Sequence, residues 1–349
     1  MVTAARVTGF GNATPECVEQ EALWEGFFAR HFAGARAAGR VFRSARVRRR
    51  HAAVNPLVED VSTWSTGARM RRYAQEARPL GLGAVSAALA DSGLAAEDVG
   101  LLAVASCTGY TTPGLDILVT AELGMPLDVQ RLAIGHMGCY AAIPGLGAVS
   151  DFVVAREKAA VLLCLELTSL HLQPPVEDLD QAVAHSLFSD AAAAVVVQPG
   201  HGDGGLAIVD VAALTDPAGA DHMTWDVTDL GFRMGLSPRV PDVLAHHVGP
   251  MITELLGRHG LTTADVDAWA VHPGGPRILD AVGEGLALPE EALSASRHVL
   301  AEHGNCSSAT VLLVLEALRQ GGRPRTGRYA VAMAFGPGLT LYAALLRAC

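Results

Sequence analysis

Two stretches of the chain share one pattern of hydrophobic and polar positions. Residues 85–104, VSAALADSGLAAEDVGLLAV, align without gaps on residues 252–271, ITELLGRHGLTTADVDAWAV. Each stretch has apolar residues at helical spacing, then a glycine, a short polar connection and a nearly continuous apolar run. Because glycine commonly ends a helix and such a run is typical of a buried strand, each copy predicts a helix followed by a strand.

A second pair of matching segments follows the first. Gly138 and Cys139 open one Ala/Gly-rich helical stretch, and Gly304 and Asn305 open another. Each leads to an apolar run that predicts a buried strand, at 159–167 and at 329–335. Helices that alternate with apolar strands in two related halves predict an α/β fold with internal pseudo-twofold symmetry.

The boundary between the two halves is predicted near the Gly-rich segment at 199–205. Glycines in such number interrupt regular structure and are typical of a connection. We therefore expect an N-terminal half over residues 1–203, which contains Cys139. The C-terminal half is expected over residues 204–349 and contains His272 and Asn305.

The composition excludes several classes of protein. Of the 349 residues, 50% are hydrophobic and 18% are charged, which is typical of a globular chain and not of a disordered or fibrous one. A formal net charge of −10 gives nucleic-acid binding no general electrostatic support. The N-terminus has no apolar core of a signal peptide, and Gly, Pro and polar residues interrupt the apolar stretches, so we expect a cytoplasmic protein without a membrane span.

The six cysteines are scattered along the chain. They are Cys17, Cys107, Cys139, Cys164, Cys306 and Cys349. Because none of them has Cys-x-x-Cys spacing, we expect neither a disulfide framework nor a zinc site, and we predict no bound metal. One catalytic thiol is the better interpretation of this pattern.

The repeat brings three reactive residues to one centre. Cys139 and Asn305 begin equivalent buried helices and would face each other across a twofold axis. His272 follows the strand of the second copy, at the carboxyl edge where α/β proteins bind their ligands. Each residue has another interpretation: a small core cysteine, a structural histidine and a helix-capping asparagine. Their joint placement favours a catalytic centre.

These residue types suit acyl transfer. A thiol at a helix N-terminus beside an imidazole is shifted toward the thiolate, which is a nucleophile for thioesters. The side chains of His272 and Asn305 can donate hydrogen bonds to a thioester oxygen. They would then form an oxyanion hole for the enolate that remains when a malonyl group loses its carboxylate.

Four motifs resemble those of type III polyketide synthases, the chalcone-synthase-like enzymes. They are GCYAA at 138–142, HPGGPRILD at 272–280, GNCSSATVLLVLEALR at 304–319 and FGPGLT at 335–340. The resemblance runs from the GFGNATP stretch to the C-terminus and keeps the order and spacing of the motifs. It implies a homodimeric, thiolase-like fold whose two pseudo-twofold-related halves form a layered αβαβα core.

The resemblance also implies the reaction. An acyl starter is loaded from acyl-CoA onto Cys139, and malonyl-CoA or a substituted malonyl-CoA is decarboxylated beside His272 and Asn305. The carbanion attacks the acyl thioester, and His272 also helps to keep Cys139 as a thiolate. Repetition and ring closure give a resorcinol, phloroglucinol, naphthol or pyrone-type product. The coenzyme A thioesters are substrates, and no cofactor is expected.

Further residues match pocket positions of the family. Phe188 and Phe232 match two gatekeeper phenylalanines, with plain core aromatics as the alternative. The other substrate-pocket positions are Ser307, Cys107, His171, Thr112, Phe335, Gly336, Pro337 and Gly338. Three of these, Cys107, His171 and Thr112, differ from the residues of the plant enzymes, so the starter and the chain length stay open.

A cluster of arginines near the N-terminus suits an anionic coenzyme. Arg40 matches a CoA-contacting arginine of the family, and Arg36 and Arg43 lie near it at helical spacing. Guanidinium groups bind phosphates well, so we expect these three residues to contact coenzyme A. A solvated basic helix face is the alternative.

Three other functions stay open. A ketoacyl synthase III-like enzyme would use the same three residue types with acyl carrier protein as its partner. Its histidine is usually followed by Gln-Ala-Asn, whereas His272 is followed by Pro-Gly-Gly. A thiolase would place a second cysteine in the C-terminal glycine-rich loop, where this chain has FGPG. The third is a non-catalytic acyl-CoA-binding protein, against which the three intact residues count.

Overall fold

Two sets of strands meet side by side in one sheet of nine strands. A computed structural model describes residues 4–175, 177–200 and 204–349. The strands in chain order are β1 Ala5–Ala13, β2 Cys17–Glu19, β3 Arg49–His51, β4 Val99–Ser106, β5 Gln130–Gly135, β6 Ala159–Leu167, β7 Asp190–Pro199, β8 Leu206–Thr215, β9 Met223–Thr228, β10 Gly231–Leu236, β11 Val266–Val271, β12 Tyr329–Gly336 and β13 Thr340–Ala348. The strands predicted at 159–167 and 329–335 are β6 and β12.

The strand pairing repeats from one half to the other. The sheet has the order β11-β12-β13-β8-β1-β7-β6-β4-β5. In the N-terminal half β4 is parallel to β6, while β7 is antiparallel to both β6 and β1. In the C-terminal half β11, β12, β13 and β8 repeat this arrangement. The halves meet where Arg6 pairs with Ala207 and Val7 with Leu206, so the pseudo-twofold axis passes between β1 and β8.

The predicted boundary between the halves lies on the connection from β7 to β8. Residues 201–203 lie outside the described residues, while β7 ends at Pro199 and β8 begins at Leu206. The division at 203 and 204 stays a prediction.

Eleven α-helical segments are found in the described part of the chain. They are α1 Gln20–Leu23, α2 Ala29–His31, α3 Ala38–Ser44, α4 Thr66–Ser92, α5 Leu115–Glu122, α6 Ala142–Arg156, α7 Leu179–Leu187, α8 Val240–Gly257, α9 Pro276–Gly285, α10 Ser294–His303 and α11 Thr310–Gln320. Short 3-10 turns precede the two central helices, at Gly138–Tyr140 before α6 and at Ser307–Ala309 before α11.

The helices form three layers that alternate with the two halves of the sheet. α6 and α11 share one core cluster with Leu162 of β6 and Ala332 of β12. Leu163 of β6 belongs to a second cluster, with α4, and Val331 of β12 to a third, with α8 and α9. Neighbouring side chains on a strand point to opposite faces. The cluster with α6 and α11 therefore lies on one face of the sheet, and the clusters with α4 and with α8 and α9 lie on the other face. The layers therefore follow the predicted αβαβα order.

The two aligned helix–strand segments end their helices in the same way. The backbone N–H of Leu94 donates to the carbonyl of Leu89 at 3.1 Å, and that of Leu261 donates to Leu256 at 3.0 Å. In both copies the residue before the donor is a glycine with φ of +67°. This hydrogen bond across a left-handed glycine caps a helix C-terminus. Both copies have glycine at this position because it adopts a positive φ without strain.

One segment of the described chain, Gly138–Arg156, is long and apolar enough to cross a membrane by length and composition. Interruption of the apolar stretches by Gly, Pro and polar residues predicts no membrane span. The segment Gly138–Arg156 comprises the 3-10 turn and α6, and its residues Ile143, Leu146 and Val149 belong to the central core cluster. Contact with both halves of the sheet explains why this helix is so hydrophobic.

Candidate active site

Cys139 lies at the start of the central helix of the N-terminal half. It is the middle residue of the Gly138–Tyr140 turn, directly before α6, and is 6% exposed. Burial raises the pKa of its thiol to about 12, while hydrogen bonds with the side chains of Ser307 and Asn305 act in the opposite direction. The predicted shift toward the thiolate is therefore not found in the protein without substrate, because burial is the largest influence on this thiol. A base has to accept the thiol proton before Cys139 attacks a substrate.

The turn that carries Cys139 packs closely against the loop after β12. A Cβ atom on Gly138, whose φ is +73°, would lie 3.0 Å from Cδ of Pro337, and one on Gly336 would lie 2.6 Å from Cδ1 of Tyr140. Two glycines thus allow a contact that larger residues would prevent. The predicted loop residues therefore support the turn that holds the thiol.

His272 follows β11 at the carboxyl end of that strand. Its backbone N–H donates to the carbonyl of Met333 at 2.8 Å, which fixes it beside β12. Burial lowers the pKa of the imidazole to about 3, so the ring is neutral. Within the described residues neither ring nitrogen has a hydrogen-bond partner. Both nitrogens are therefore available to a substrate or to a neighbouring thiol.

Asn305 lies between α10 and the turn before α11. Its backbone N–H donates to Leu187 at 2.8 Å, and its carbonyl accepts from the N–H of Ser189 at 2.9 Å. These bonds flank Phe188, which forms an isolated bridge with Asn305. The amide oxygen of Asn305 accepts from the N–H of Ser307 at 2.9 Å. Its amide nitrogen is thus the group that can donate to Cys139.

One cavity of about 300 Å³ brings the three residues together. Cys139, His272 and Asn305 all line it, and so do Phe188 and Phe335. The convergence that the repeat predicts is therefore present in the structure. Phe188 stands beside Asn305 because of their backbone bridge, so the gatekeeper position and the amide are held by the same bonds.

A second cavity, of about 20 Å³, also reaches Cys139. Phe188 lines both cavities, while Cys107, Ser307 and Trp225 line the smaller one. Cys107 and Ser307, which the sequence predicts as substrate-pocket residues, thus line a space beside the thiol. Contact of these residues with a substrate stays a prediction. The thiol of Cys107 lies 3.6 Å from the hydroxyl oxygen of Ser307, which itself is hydrogen-bonded to Cys139.

Glu166 is a buried acid beside this second thiol, and sequence reasoning missed it. It accepts hydrogen bonds from Thr108 and Ser308 as well as from Cys107. Burial raises the pKa of its carboxyl group. The available signal was a single glutamate in the otherwise apolar strand AAVLLCLEL.

His171 and Phe232 lie together behind the cavity wall. Their rings stack at 4.5 Å between centroids. His171 Nε2–H donates to the carbonyl of Thr108 at 2.7 Å, and Nδ1 accepts from the N–H of Phe232 at 2.9 Å. Burial lowers the pKa of His171 to about 3. Both nitrogens are thus engaged, and Met234, two residues along β10, lines the cavities instead.

The remaining residues predicted for the pocket are in different places: some are in the loop beside the thiol and one is on the surface. Pro337 lines the small cavity, and Gly338, at φ +131°, is the next residue of the same loop. Thr112 is exposed on the surface of the single chain. Thr112 lines neither of the two cavities that reach Cys139. As a pocket residue it would have to contact the pocket of a second copy of the chain.

The predicted coenzyme arginines lie on or just before α3, a helix that contributes other residues to the wall of the larger cavity. Arg40 and Arg43 are exposed on α3, the helix whose Val41 and Ser44 line that cavity, and Arg36 is exposed just before α3. Arg277 also lines the cavity and is exposed at the start of α9. Sequence reasoning missed Arg277, although it lies within the quoted motif HPGGPRILD.

Comparison with protein families covers nearly the whole chain. The model of the N-terminal domain of chalcone and stilbene synthases matches residues 2–201, and that of the C-terminal domain matches residues 209–349. The chain belongs to the chalcone and stilbene synthase family. The resemblance seen in its motifs is thereby confirmed.

Individual members of the chalcone and stilbene synthase family resemble the chain over most of its length. A 1,3,6,8-tetrahydroxynaphthalene synthase from Streptomyces peucetius subsp. caesius is 37% identical over 313 residues, which are 88% of this chain and 82% of that protein. The alpha-pyrone synthesis polyketide synthase-like Pks18 of Mycobacterium tuberculosis is 32% identical over 315 residues, 86% of this chain and 80% of Pks18.

Solved structures of the family agree with the fold. The 1,3,6,8-tetrahydroxynaphthalene synthase of Streptomyces coelicolor A3(2), a bacterial type III polyketide synthase, has a TM-score of 0.92 and 30% identity, covering 98% of this chain and 99% of that one. PKS-I from the brown alga Ectocarpus siliculosus has a TM-score of 0.94 and 28% identity, covering 100% and 99%. The predictions of a thiolase-like fold and of a type III polyketide synthase, an acyltransferase, are confirmed.

The described part of the chain shows no cluster of metal-ligating side chains. Within residues 4–175, 177–200 and 204–349, no group of three or more His, Cys, Asp or Glu side chains is placed to hold a metal ion. The six cysteines are free thiols. That the enzyme needs no metal or cofactor stays a prediction, as does its cytoplasmic location.

Proposed function

We propose that the enzyme extends an acyl group on Cys139 by decarboxylative Claisen condensation with malonyl-CoA or a substituted malonyl-CoA. The observation that carries this proposal is the meeting of Cys139, His272 and Asn305 at one cavity. These side chains supply a nucleophile, a base and an amide donor. Acyl transfer followed by enolate chemistry uses all three.

The first step transfers the starter acyl group. The neutral imidazole of His272 accepts the thiol proton while Sγ of Cys139 attacks the carbonyl carbon of the acyl-CoA. The tetrahedral intermediate then expels coenzyme A as a thiolate. The imidazolium of His272 then returns the proton to the leaving sulfur, which restores the neutral ring.

The second step extends the acyl group. The bond between the malonyl carboxylate and its neighbouring carbon breaks, CO₂ leaves, and the electron pair forms an enolate. The amide nitrogen of Asn305 and a ring N–H of His272 donate to the enolate oxygen. The enolate carbon attacks the acyl carbon, and the thiolate of Cys139 leaves. The longer chain is now attached to coenzyme A and can return to Cys139.

The product class we propose is a phenol or a pyrone, covering resorcinol, phloroglucinol, naphthol and pyrone rings. Three relatives support this product class, because each is named for a phenol or a pyrone. Besides tetrahydroxynaphthalene synthase and Pks18, a 3,5-dihydroxyphenylacetyl-CoA synthase from Streptomyces toyocaensis is 33% identical over 319 residues, 88% of this chain and 81% of that protein. Rings of this kind form when a poly-β-keto chain closes on itself.

The phosphates of coenzyme A are proposed to bind at the basic end of the larger cavity. The exposed Arg277 lines this cavity, and Arg40 and Arg43 are exposed on α3, whose Val41 and Ser44 line it. A guanidinium group makes charge-assisted hydrogen bonds to phosphate, so these residues would hold the nucleotide while the thioester reaches Cys139.

A homodimer is proposed through the free edge of the sheet. β5 ends the nine-stranded sheet, and its residues are mostly exposed, including Leu132. Ile117 of α5 is also exposed. An open edge with apolar neighbours is a template for pairing with a second copy. Sedimentation of the purified protein as a monomer would contradict this part of the proposal.

Mass spectrometry of the reaction tests the proposed function. The wild-type enzyme is incubated with malonyl-CoA and a panel of starter acyl-CoA thioesters, and both the products and the intact protein are weighed. We expect chain-extended products and an acyl group on the peptide that contains Cys139. Cys139→Ala should form neither. Parallel reactions with acyl carrier protein thioesters test the alternative donor.

Two results would overturn the proposal. One is the absence of both acyl-enzyme and extended product with every CoA starter. The other is undiminished condensation by Cys139→Ala. Condensation that occurs with carrier-protein thioesters and not with coenzyme A thioesters would instead support the ketoacyl synthase III-like alternative.

A further inference from the structure

Arg50 is a buried arginine next to an exposed one on the short strand β3. Its backbone pairs with Val18 of β2. The side chain of Arg49 is 45% exposed and is bonded to Glu19 at 2.8 Å, whereas Arg50 is 6% exposed. Because neighbouring side chains on a strand point to opposite faces, the two arginines have opposite environments. Arg50 is therefore separate from the exposed arginines that we propose for coenzyme A.

Part of the Arg50 guanidinium has no partner. Nη1 donates to the carbonyls of His185 and Phe188, to the second at 3.2 Å. One face of the group lies over the ring of Phe28, with Cζ 5.5 Å from the ring centroid. Nε and Nη2 are buried and have no hydrogen-bond partner within the described residues. Since buried donors nearly always have acceptors, these two groups indicate an acceptor from outside the chain.

The buried acid nearest in charge to Arg50 is Asp190, and its oxygens are engaged by other donors. Oδ2 accepts from the N–H of Ala53 at 2.8 Å and from the hydroxyl group of Ser169. Oδ1 accepts from the N–H of Ser169 at 2.8 Å and from the hydroxyl group of Thr168 at 3.0 Å. Burial raises the pKa of Asp190, which disfavours its charged form. Asp190 attracts Arg50 but forms no ion pair with it in the part of the chain that the structure describes.

A cavity of about 50 Å³ adjoins Arg50, and more than half of its lining residues are apolar. A cavity needs roughly 10–15 Å³ to hold one water molecule, so this one has room for only a few atoms. The other titratable residues that line it are His51, Glu59 and His185.

These three residues do not compensate the charge of Arg50. Burial lowers the pKa of both imidazoles, in His185 to about 3, so the rings are neutral at neutral pH. The carboxylate of Glu59 accepts a hydrogen bond from Arg72 at 2.8 Å and is paired with that cation. Burial also lowers the pKa of Arg50, to about 10, and the guanidinium stays charged at neutral pH. The cavity thus contains a positive charge without an ion-pair partner among the residues that line it.

We propose that this cavity binds one small monovalent anion of the size of chloride. Nε–H and Nη2–H of Arg50 would donate to it, as guanidinium groups do to anions. A buried charge is costly to leave unpaired, and the anion would compensate it. A water molecule would accept the same hydrogen bonds but would leave the charge uncompensated. The site is separate from the binding of acyl groups and of coenzyme A, and it does not depend on the proposed condensation.

The proposed anion site lies behind a wall of the active site. Phe188 lines this cavity and both cavities that reach Cys139. The carbonyl of Phe188 accepts from Arg50, and its backbone forms the bridge with Asn305. The anion would therefore stabilise a part of the fold that supports the catalytic centre. A ligand that binds only the folded state raises the melting temperature, so binding of the anion should be measurable in this way.

Thermal melting in matched salts tests the proposal. The melting temperatures of the wild type, Arg50→Met and Arg49→Met are measured at pH 7 with increasing sodium chloride. Sodium gluconate keeps the ionic strength constant, and its anion is too large for the cavity. Methionine keeps an unbranched side chain but removes the charge and the donors. Arg49→Met is the matched control, because it removes an exposed arginine from the same strand.

We expect chloride to raise the melting temperature of the wild type and of Arg49→Met by about 2 °C or more, with saturation at one site. Arg50→Met should show no rise. Wild-type crystals soaked in sodium bromide test the site without any variant, in case Arg50→Met does not fold. They should show anomalous density for bromide beside Nε and Nη2 of Arg50.

The proposal is wrong if the wild type melts at the same temperature in chloride and in gluconate. It is also wrong if folded Arg50→Met keeps the full response to chloride, or if bromide is found at exposed arginines only. Failure of the proposed condensation would look different, because the wild type would then form no extended product whether or not chloride binds beside Arg50.

Discussion

Glu166 holds the backbone of Cys107 by a buried hydrogen bond, in which the Cys107 N–H donates to Oε2 at 3.0 Å. The thiol of Cys107 lies 3.5 Å from both carboxylate oxygens. Hydroxyl groups of Thr108 and Ser308 donate to the same carboxylate at 2.8 Å and 2.6 Å. One side chain therefore ties the end of β4 to the turn that follows Asn305.

Glu166→Gln is expected to destabilise the protein. The amide nitrogen of glutamine cannot accept, so at least one buried donor loses its partner, at a cost of about 1–3 kcal/mol in the free energy of unfolding. Urea denaturation monitored by circular dichroism measures this. Glu284→Gln is the matched control, because Glu284 is exposed on α9 and its replacement should change stability by less than about 0.5 kcal/mol. Equal stability of the two variants would contradict the prediction.

The residues of the repeat were predictable, and those outside it were not. Leu89 and Leu256 accept the same capping hydrogen bond in the two copies, so the alignment reflects a shared local structure. The same symmetry places Cys139 and Asn305 at equivalent helix starts. Trp225 lies on the β9–β10 hairpin, which has no counterpart in the alignment, so nothing in the sequence related it to Cys139.

Other residues escaped because their environment is long-range. Glu166 acquires its partners from β4 and from the turn before α11, which are distant in the chain. Phe232 matches a family position, yet its ring stacks on His171 because the nitrogen atoms of that histidine are bound to backbone groups. Spacing along a sequence cannot show either arrangement.

His272→Ala is expected to slow alkylation of Cys139. Burial is the main cause that raises the pKa of the thiol to about 12, so we expect reaction at neutral pH to depend on the imidazole that accepts its proton. We expect the rate with iodoacetamide at pH 7 to fall at least about tenfold, with a smaller difference at pH 10. Mass spectrometry of the Cys139 peptide gives the rate despite the exposed Cys17.

A control for this experiment is His298→Ala, which removes an exposed imidazole. It should leave the rate of alkylation unchanged. Rates that are the same in His272→Ala and the wild type at pH 7 would show that this imidazole does not serve as the base.

Arg277→Ala is expected to weaken the binding of coenzyme A thioesters selectively. Loss of one charge-assisted hydrogen bond to phosphate should raise KM for malonyl-CoA about tenfold or more. KM for malonyl-pantetheine, which lacks the nucleotide phosphates, should not change. Arg40→Ala and Arg43→Ala are measured in the same way, and Arg258→Ala, on an exposed residue beyond α8, is the control. A similar rise for both donors would refute a role in phosphate binding.

His171 is expected to make stability depend on pH. Burial lowers its pKa to about 3 from 6.5, so between these values the unfolded chain binds a proton that the folded protein does not. The free energy of unfolding then falls as the pH drops below about 6.5, by about 1.4 kcal/mol per pH unit for this group. His171→Gln should lose about 2 kcal/mol less than the wild type between pH 7 and pH 5.

Urea denaturation at the two pH values checks this expectation. His298→Gln, which replaces an exposed histidine, should keep the pH dependence of the wild type. If His171→Gln keeps it as well, the neutral ring of His171 is not what makes the folded state sensitive to acid.

The position of β1 has a consequence for synthesis of the chain on the ribosome. This strand is made first, yet its neighbours in the sheet are β7 and β8. A nascent chain that has not reached Asp190 therefore holds β1 without a partner and β6 with one open edge. Unpaired apolar edges favour aggregation. The N-terminal half can close its sheet only after β7 has emerged, and the catalytic site must wait further, until Asn305 has been made.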